Sequence, residues 1–337
     1  MIGIAIALFS LLLLSSPTTG QVSFRVMSYN VENLFDTYDD AETQDDEFLP
    51  QGARRWTPSR YRHKLNQIAR VITAAGEWDT PALVGLCEVE NDTTLTHLLT
   101  RTPLRRQQYR YVITSGSDRR GINVALLYQR DKFRYIGHTS NPVRIFSRAA
   151  EHPTRDILHV WGEISSGDTL DVMVCHFPSK YGGELESKGH RLDAARTLGA
   201  LSDSLLHSRR NPLQVVMGDF NDEPHSECIN LAGGGEGGIL CNLFASGRPR
   251  GSHKYQSEWS QLDQIMILNR MKDYEGEASM ILVHGSADVF SSPFLLIDDN
   301  VWRGKRPRRT YHGFRYEAGF SDHLPVIADF TILSPGE

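Results

Sequence analysis

Seven short apolar runs, each of strand length and rich in Val, Ile and Leu, are spread along the chain with polar loops between them: residues 22–26, 82–86, 123–128, 170–174, 213–217, 265–268 and 326–330. Strands that are apolar along their whole length must be covered on both faces, so a chain of this kind needs packed sheets with helices over them. Two helices are legible. Thr57-Pro58 opens one, with Tyr61, Leu65, Ile68 and Ile72 at helical spacing until Gly76. Leu192, Ala195, Leu198, Leu201 and Leu205 mark the other. No internal repeat, long linker or composition break follows residue 21.

The residues that end these runs carry the chemistry. Asn30, Glu88 and His176 each follow an apolar run, and Asp219-Phe220-Asn221 follows another. Asp263 and the pair Asp322-His323 instead precede a run. If those two strands run antiparallel to the others, a mixed sheet gathers three Asp, one Glu, two Asn and two His at one rim. Carboxylates buried side by side repel unless something neutralises them. A hard divalent cation does so, and these oxygen donors suit Mg²⁺ or Mn²⁺, with Ca²⁺ also compatible, rather than a thiolate-seeking metal.

An Asn or Asp at a strand end is by itself ordinary turn chemistry. Gly218-Asp219-Phe220-Asn221 and Ser321-Asp322-His323-Leu324-Pro325, in that order with Glu88 and His176 upstream, are more specific. With these motifs the chain resembles the endonuclease/exonuclease/phosphatase superfamily across residues 28–326. That resemblance implies a four-layer α/β sandwich, with two mostly antiparallel mixed sheets face to face and helices outside. It implies metal ligands at Asn30, Glu88 and Asp322, and a water-activating base at Asp219 assisted by Asn221. Asp263 would hold the catalytic His323, His176 would be the second active-site histidine, and Arg155 a phosphate contact. The expected activity is metal-assisted hydrolysis of a phosphoester, with nucleic acid the first substrate and a lipid-headgroup phosphodiesterase or a phosphatase on the same fold the alternative.

Phosphoinositide phosphatases on this fold carry a Trp before the Gly-Asp motif and Cys-Asp-Arg where this chain has Leu262-Asp263-Gln264. Calcineurin-type phosphatases need Asp-x-His and His-x-His, and neither occurs. A dead binding module would gain nothing from burying the cluster.

The formal charge of −5 argues against a general basic coat, though not against a local basic groove. Arg303 to Arg309 holds five basic residues in seven and could reach an anionic substrate, while Asp36 to Glu47 holds seven acidic residues in twelve and reads as a solvated loop, with a structural Ca²⁺ site the lesser reading. Around the site, Glu32, Glu90, Asp222, Glu223 and Arg120 read as structural or surface residues, and Tyr255, Trp259, Tyr311 and Phe314 as packing.

Residues 1–20 are uncharged and apolar to Leu14, with small residues before Gln21, the pattern of a secretory signal peptide. A secreted or periplasmic monomer follows, one domain over 21–337, with no stable membrane span. Cys228 and Cys241 flank a Gly-rich loop, leaving a disulfide and free thiols both open.

Overall fold

The computed structural model describes residues 22–116, 118–146, 154–180, 183–235, 237–246 and 251–333. The apolar leader 1–20 lies outside them. The first half of the chain runs β1 (Val22–Leu34), α1 (Pro58–Gly76), β2 (Leu83–Val89), α2 (Asp92–Thr100), β3 (Arg110–Ile113), β4 (Asn123–Tyr128), β5 (Arg134–Asn141) and β6 (Ile157–Glu163). There follow β7 (Thr169–His176), α3 (Glu184–Ser208), β8 (Leu213–Asp219), α4 (Glu227–Ala232), β9 (Leu240–Asn242), β10 (His253–Tyr255), β11 (Glu258–Ser260) and β12 (Asp263–Leu268). The last part holds β13 (Met280–Leu282), β14 (Asp288–Val289), β15 (Leu296–Asp298), β16 (Lys305–Pro307), β17 (Tyr311–His312), β18 (Arg315–Tyr316) and β19 (Val326–Ile332).

Two large mixed sheets form, ordered β13-β19-β1-β2-β4-β3, with β14 also on β19, and β5-β6-β7-β8-β12-β9. They pack face to face, with β1 across β8 and β2 across β7. The α/β sandwich expected from the sequence is therefore present, and all seven apolar runs are strands. The single rim sheet inferred from strand ends is not. Its strands divide between the two sheets, and their ends meet because the sheets stack.

Each sheet has the same central trio. In one, β1 runs parallel to β2 and antiparallel to β19; in the other, β7 runs parallel to β8 and β8 antiparallel to β12. A parallel pair needs a crossover, and α1 and α3 supply it. The topology thus repeats where the sequence does not.

The helices close the outer faces. Thr57 caps α1, its Oγ1 accepting from the Arg60 amide at 3.4 Å, with Pro58 at the first helical position. α1 buries Leu65, Ile68, Val71 and Ile72. α3 docks on β8 through Ser202, which donates to Gln214 Oε1 and accepts from its Nε2 at 2.9 Å through the Ser202 carbonyl. Arg209 closes its C-terminal end with paired bonds to the buried Asp171 at 2.7 and 2.8 Å.

All four cysteines are free. Cys228 is buried and donates to the Arg191 carbonyl, so the 228–241 pair left open by the sequence is two thiols.

Candidate active site

The eight polar residues converge where the two trios end. Asn30, at the end of the β1 core, donates from Nδ2 to Asp219 Oδ2 at 3.0 Å and to Glu88 Oε1 at 3.3 Å, bridging the sheets. Its Oδ1 accepts from the Glu32 amide at 3.0 Å. His176 Nε2 lies 3.7 Å from Asp219 Oδ2 and 4.0 Å from Glu88 Oε1. The β8–β12 register sets Asp263 opposite Asp219, and His323 Nδ1 meets Asp263 Oδ2 at 2.6 Å.

Local backbone conformation aims these groups. Glu88 and Asn221 hold φ of 66° and 49°, as do Glu32 and Asn33 at 53° and 52°, conformations that cost L residues energy and concentrate at working sites. Gly218, immediately before Asp219, has φ 149°, and a Cβ there would stand 1.9 Å from the Cys175 carbonyl oxygen. Only glycine lets β7 and β8 approach this closely. Ser321 donates to the Asn30 carbonyl at 2.7 Å and accepts from the His323 amide at 3.0 Å, fixing the Asp322-His323 turn to β1.

The charges are strongly perturbed. Burial pushes Asp219 up to about 6, with Asp263 adding to the rise, although His323 and the Asn30 and Asn221 hydrogen bonds pull the other way. Burial would lower His323, but the facing carboxylates Asp263 and Asp219 outweigh it and hold the ring protonated well above the usual histidine range. His176 is the opposite case: burial, then Arg155 and Arg120, keep it neutral far below that range. Two histidines in one site are therefore tuned apart, which is how acid and base roles become distinct.

Desolvation would raise the half-buried Asp322, yet Arg309 holds it below the carboxylate range, donating to Oδ2 at 2.8 Å. Arg309 also donates to Glu32 Oε1 at 3.2 Å, and Glu32 Oε2 accepts from the Thr310 amide at 2.7 Å. Behind them Lys64 is 1% exposed and donates to Thr310 Oγ1 at 2.5 Å and the Phe320 carbonyl at 2.6 Å. Burial lowers this lysine to about 8.

Of the three expected metal ligands, Asn30 and Glu88 come together, while Asp322 has Arg309 as its partner. Two donor groups are compact enough to hold an ion: Asp219, Asp263 and His323, and His253, Asp322 and His323. The two carboxylates of the first group, with a buried Asp263 Oδ1 that has no hydrogen-bond partner, fit a hard cation, whereas the second group offers two imidazoles to one carboxylate. Asn221 Nδ2 donates to the Phe177 carbonyl at 3.0 Å. Arg155 is buried near His176, Nη1 donating to Asp118 Oδ2 at 3.0 Å and Nη2 to the Phe177 carbonyl at 2.8 Å, while its buried Nε has no partner.

Four residues of this neighbourhood escape sequence reasoning in their roles: Glu32, Lys64, His253 and Arg309. His253 lies against His323 with ring centroids 4.7 Å apart and planes tilted by 39°, and burial beside that cation lowers it to about 4. Within the basic run, Arg306 pairs with Glu317 and Lys305 with Asp298, so Arg309 is the member that reaches the cluster. Asp36 and Asp45 of the acidic loop are buried rather than solvated. Tyr311 packs on Trp56, whereas Tyr255 and Phe314 are exposed.

Residues 25–331 match the Endonuclease/Exonuclease/phosphatase family. The chain belongs to that family. Solved structures sharing the endonuclease/exonuclease/phosphatase fold include a Bacteroides thetaiotaomicron mannosyl-6-phosphatase at 15% identity, covering 91% of this chain and 99% of that one with a TM-score of 0.57. D. rerio TDP2 complexed with a single-strand DNA product follows at 14%, 91% and 98% coverage and 0.54. The human Nocturnin catalytic domain with bound sulfate stands at 16%, 92% and 93% coverage and 0.54. No curated protein sequence matches the chain. Family members hydrolyse phosphoester bonds. No helix among the described residues is long and apolar enough to cross a membrane.

Proposed function

We propose that this chain is an exported, Mg²⁺- or Mn²⁺-dependent phosphodiesterase that cleaves nucleic acid. The observation that carries the reading is the Asp219–Asp263–His323 arrangement: a buried base opposite the carboxylate that holds a protonated imidazole. Asp219 takes the proton from the attacking water as the new P–O bond forms and the bond to the leaving oxygen breaks, a role typically worth about 10²–10⁴-fold. His323, kept cationic by Asp263, stabilises the negative charge that builds on the phosphoryl oxygens. Neutral His176 and Asn221 flank Asp219 and orient the water and phosphate. Glu88, with Asn30 and Asp322, would hold a divalent cation, which would supply Lewis-acid stabilisation.

A polymeric phosphodiester is supported by the fold shared with a protein seen on single-strand DNA product. Export is supported by the uncharged apolar leader. One assay tests the reading. Purified protein receives DNA, RNA, sphingomyelin, a sugar phosphate monoester and bis-p-nitrophenyl phosphate, each with Mg²⁺ and with EDTA. Cleavage of the polynucleotides that EDTA abolishes is expected. Turnover confined to the monoester or lipid overturns the nuclease, and turnover indifferent to EDTA overturns the metal.

A further inference from the structure

At the far end of the first sheet from the active site, the edge strand β3 is flanked by three adjoining cavities, the largest of about 570 Å³. They share Arg105, Arg106, Gln108 and Arg130 as common walls, so they adjoin in one basic trough. Five arginines line it: Arg101, Arg105, Arg106, Arg110 and Arg130. All five are exposed, and none makes an ion pair among the described residues. The one carboxylate in the lining is Asp131.

An edge strand is often protected by a charged side chain. One arginine on β3 would do that. Five unpaired guanidinium groups on a chain of net charge −5 repel one another with no structural return. Such a concentration is the footprint of an anionic ligand.

We infer that this trough is a second binding site, an exosite for the phosphate backbone of a nucleic-acid strand whose scissile bond lies at the Asp219–His323 cluster. The inference rests on the proposed polynucleotide substrate. Three features select a polymer of phosphates. The trough joins three cavities rather than forming a point site, and guanidinium forks match phosphate oxygens. Exposed Arg119 and Arg120 stand just before the other end of β4, the end paired with the Glu88 end of β2. The two ends of β4 are about 17 Å apart at ~3.3 Å per residue, a span of several nucleotides. Membrane docking is disfavoured because no exposed large apolar side chain lines the trough, whereas surface-bound proteins pair basic groups with inserted apolar ones.

The test compares the full chain carrying Asp219→Asn, which binds without cutting, with the same chain also carrying Arg105→Gln, Arg110→Gln and Arg130→Gln. Binding of a fluorescein-labelled oligo-dT strand is followed by anisotropy across salt concentrations. Affinity is expected to fall tenfold or more, and the slope of log Kd against log salt to flatten by about 2, near 0.7 per lost contact. In the otherwise wild-type enzyme the three arginine changes leave hydrolysis of bis-p-nitrophenyl phosphate unaltered, and Arg134→Gln serves as a surface control outside the trough. Unchanged affinity and slope overturn the exosite. So does a loss confined to heparin or to phosphatidylglycerol vesicles. Because binding is read without cleavage, an enzyme that cuts no polynucleotide yet loses oligo-dT through these changes sinks the nuclease reading alone.

Discussion

His323 Nδ1 lies 2.6 Å from Asp263 Oδ2, at the point where β12 sets Asp263 directly opposite Asp219. The pairing fixes both the tautomer and the charge of the imidazole, as the carboxylate of a hydrolytic triad does. Asp263→Asn keeps the shape and removes the charge. Steady-state kinetics should show kcat lower by about 10²–10⁴-fold with KM little changed. A rate near that of the parent would remove His323 from the mechanism.

Asp219 makes an opposed pair of pH predictions. With its carboxyl raised to about 6, kcat/KM should fall as pH drops through and below that value, since a protonated Asp219 accepts nothing. Cation binding shifts the inflection lower. For stability the sign is reversed. A folded pKa above the unfolded one favours folding at low pH, and that contribution is lost as pH rises through about 6. Asp219→Asn should therefore melt later than the parent at pH 8 in EDTA, by up to ~3 kcal/mol. A lower Tm for the variant would contradict the burial argument.

Lys64 is the hidden support of the Asp322 side. It faces Glu32 at 4.0 Å and satisfies Thr310 and the Phe320 carbonyl. Lys64→Met removes one of the two cations facing the buried Glu32 and leaves the Thr310 hydroxyl and the Phe320 carbonyl without their donor, and should cost about 1–3 kcal/mol in a denaturant titration. Through Arg309 it should also weaken activation by Mg²⁺. Full stability in the variant would show the network to be replaceable by apolar packing.

Gly218 permits no side chain. With φ at 149° and a Cβ clash at 1.9 Å, Gly218→Ala must push β8 away from Cys175. We expect kcat to collapse in whatever fraction folds, and Tm to drop by several degrees, scanned by calorimetry. Normal turnover would mean that the β7–β8 spacing is not what aims Asp219.

Arg155 separates two roles. Its nitrogens hold Asp118 and the Phe177 carbonyl, the same oxygen that Asn221 uses. Arg155→Ala should lower stability and kcat together while leaving substrate KM unchanged, because the guanidinium acts through the 177 turn. A KM effect without a kcat effect would restore the phosphate contact expected from the sequence.

Strand ends were the legible part of this chain. Asn30, Glu88, His176, Asp219, Asp263 and His323 each abut an apolar run long enough to declare a strand, so their convergence could be anticipated. β5 could not be, since Arg134–Asn141 is almost wholly exposed and carries no apolar alternation. Nor could the division of strands between two sheets, because pairing partners far apart in sequence leave no local periodicity. Lys64 sits among Tyr61, Leu65 and Ile68 on the buried face of α1, and its position there was the one available hint that a charge is paired inside. Nothing local to Arg309 distinguishes it from Arg306 or Arg308; only the returning β1 turn, with Glu32, selects it.

The doubled trio has a mechanical consequence. Each sheet contributes half of the reacting groups, so the gap between the sheets is also the gap between base, imidazole and metal ligands. That gap is set in the interior by contacts such as Gly85 against Met217, where an added Cβ would come within 2.6 Å of the sulfur. A methyl group inserted there acts as a shim. It would alter reactivity at a distance, without touching any group that meets the phosphate.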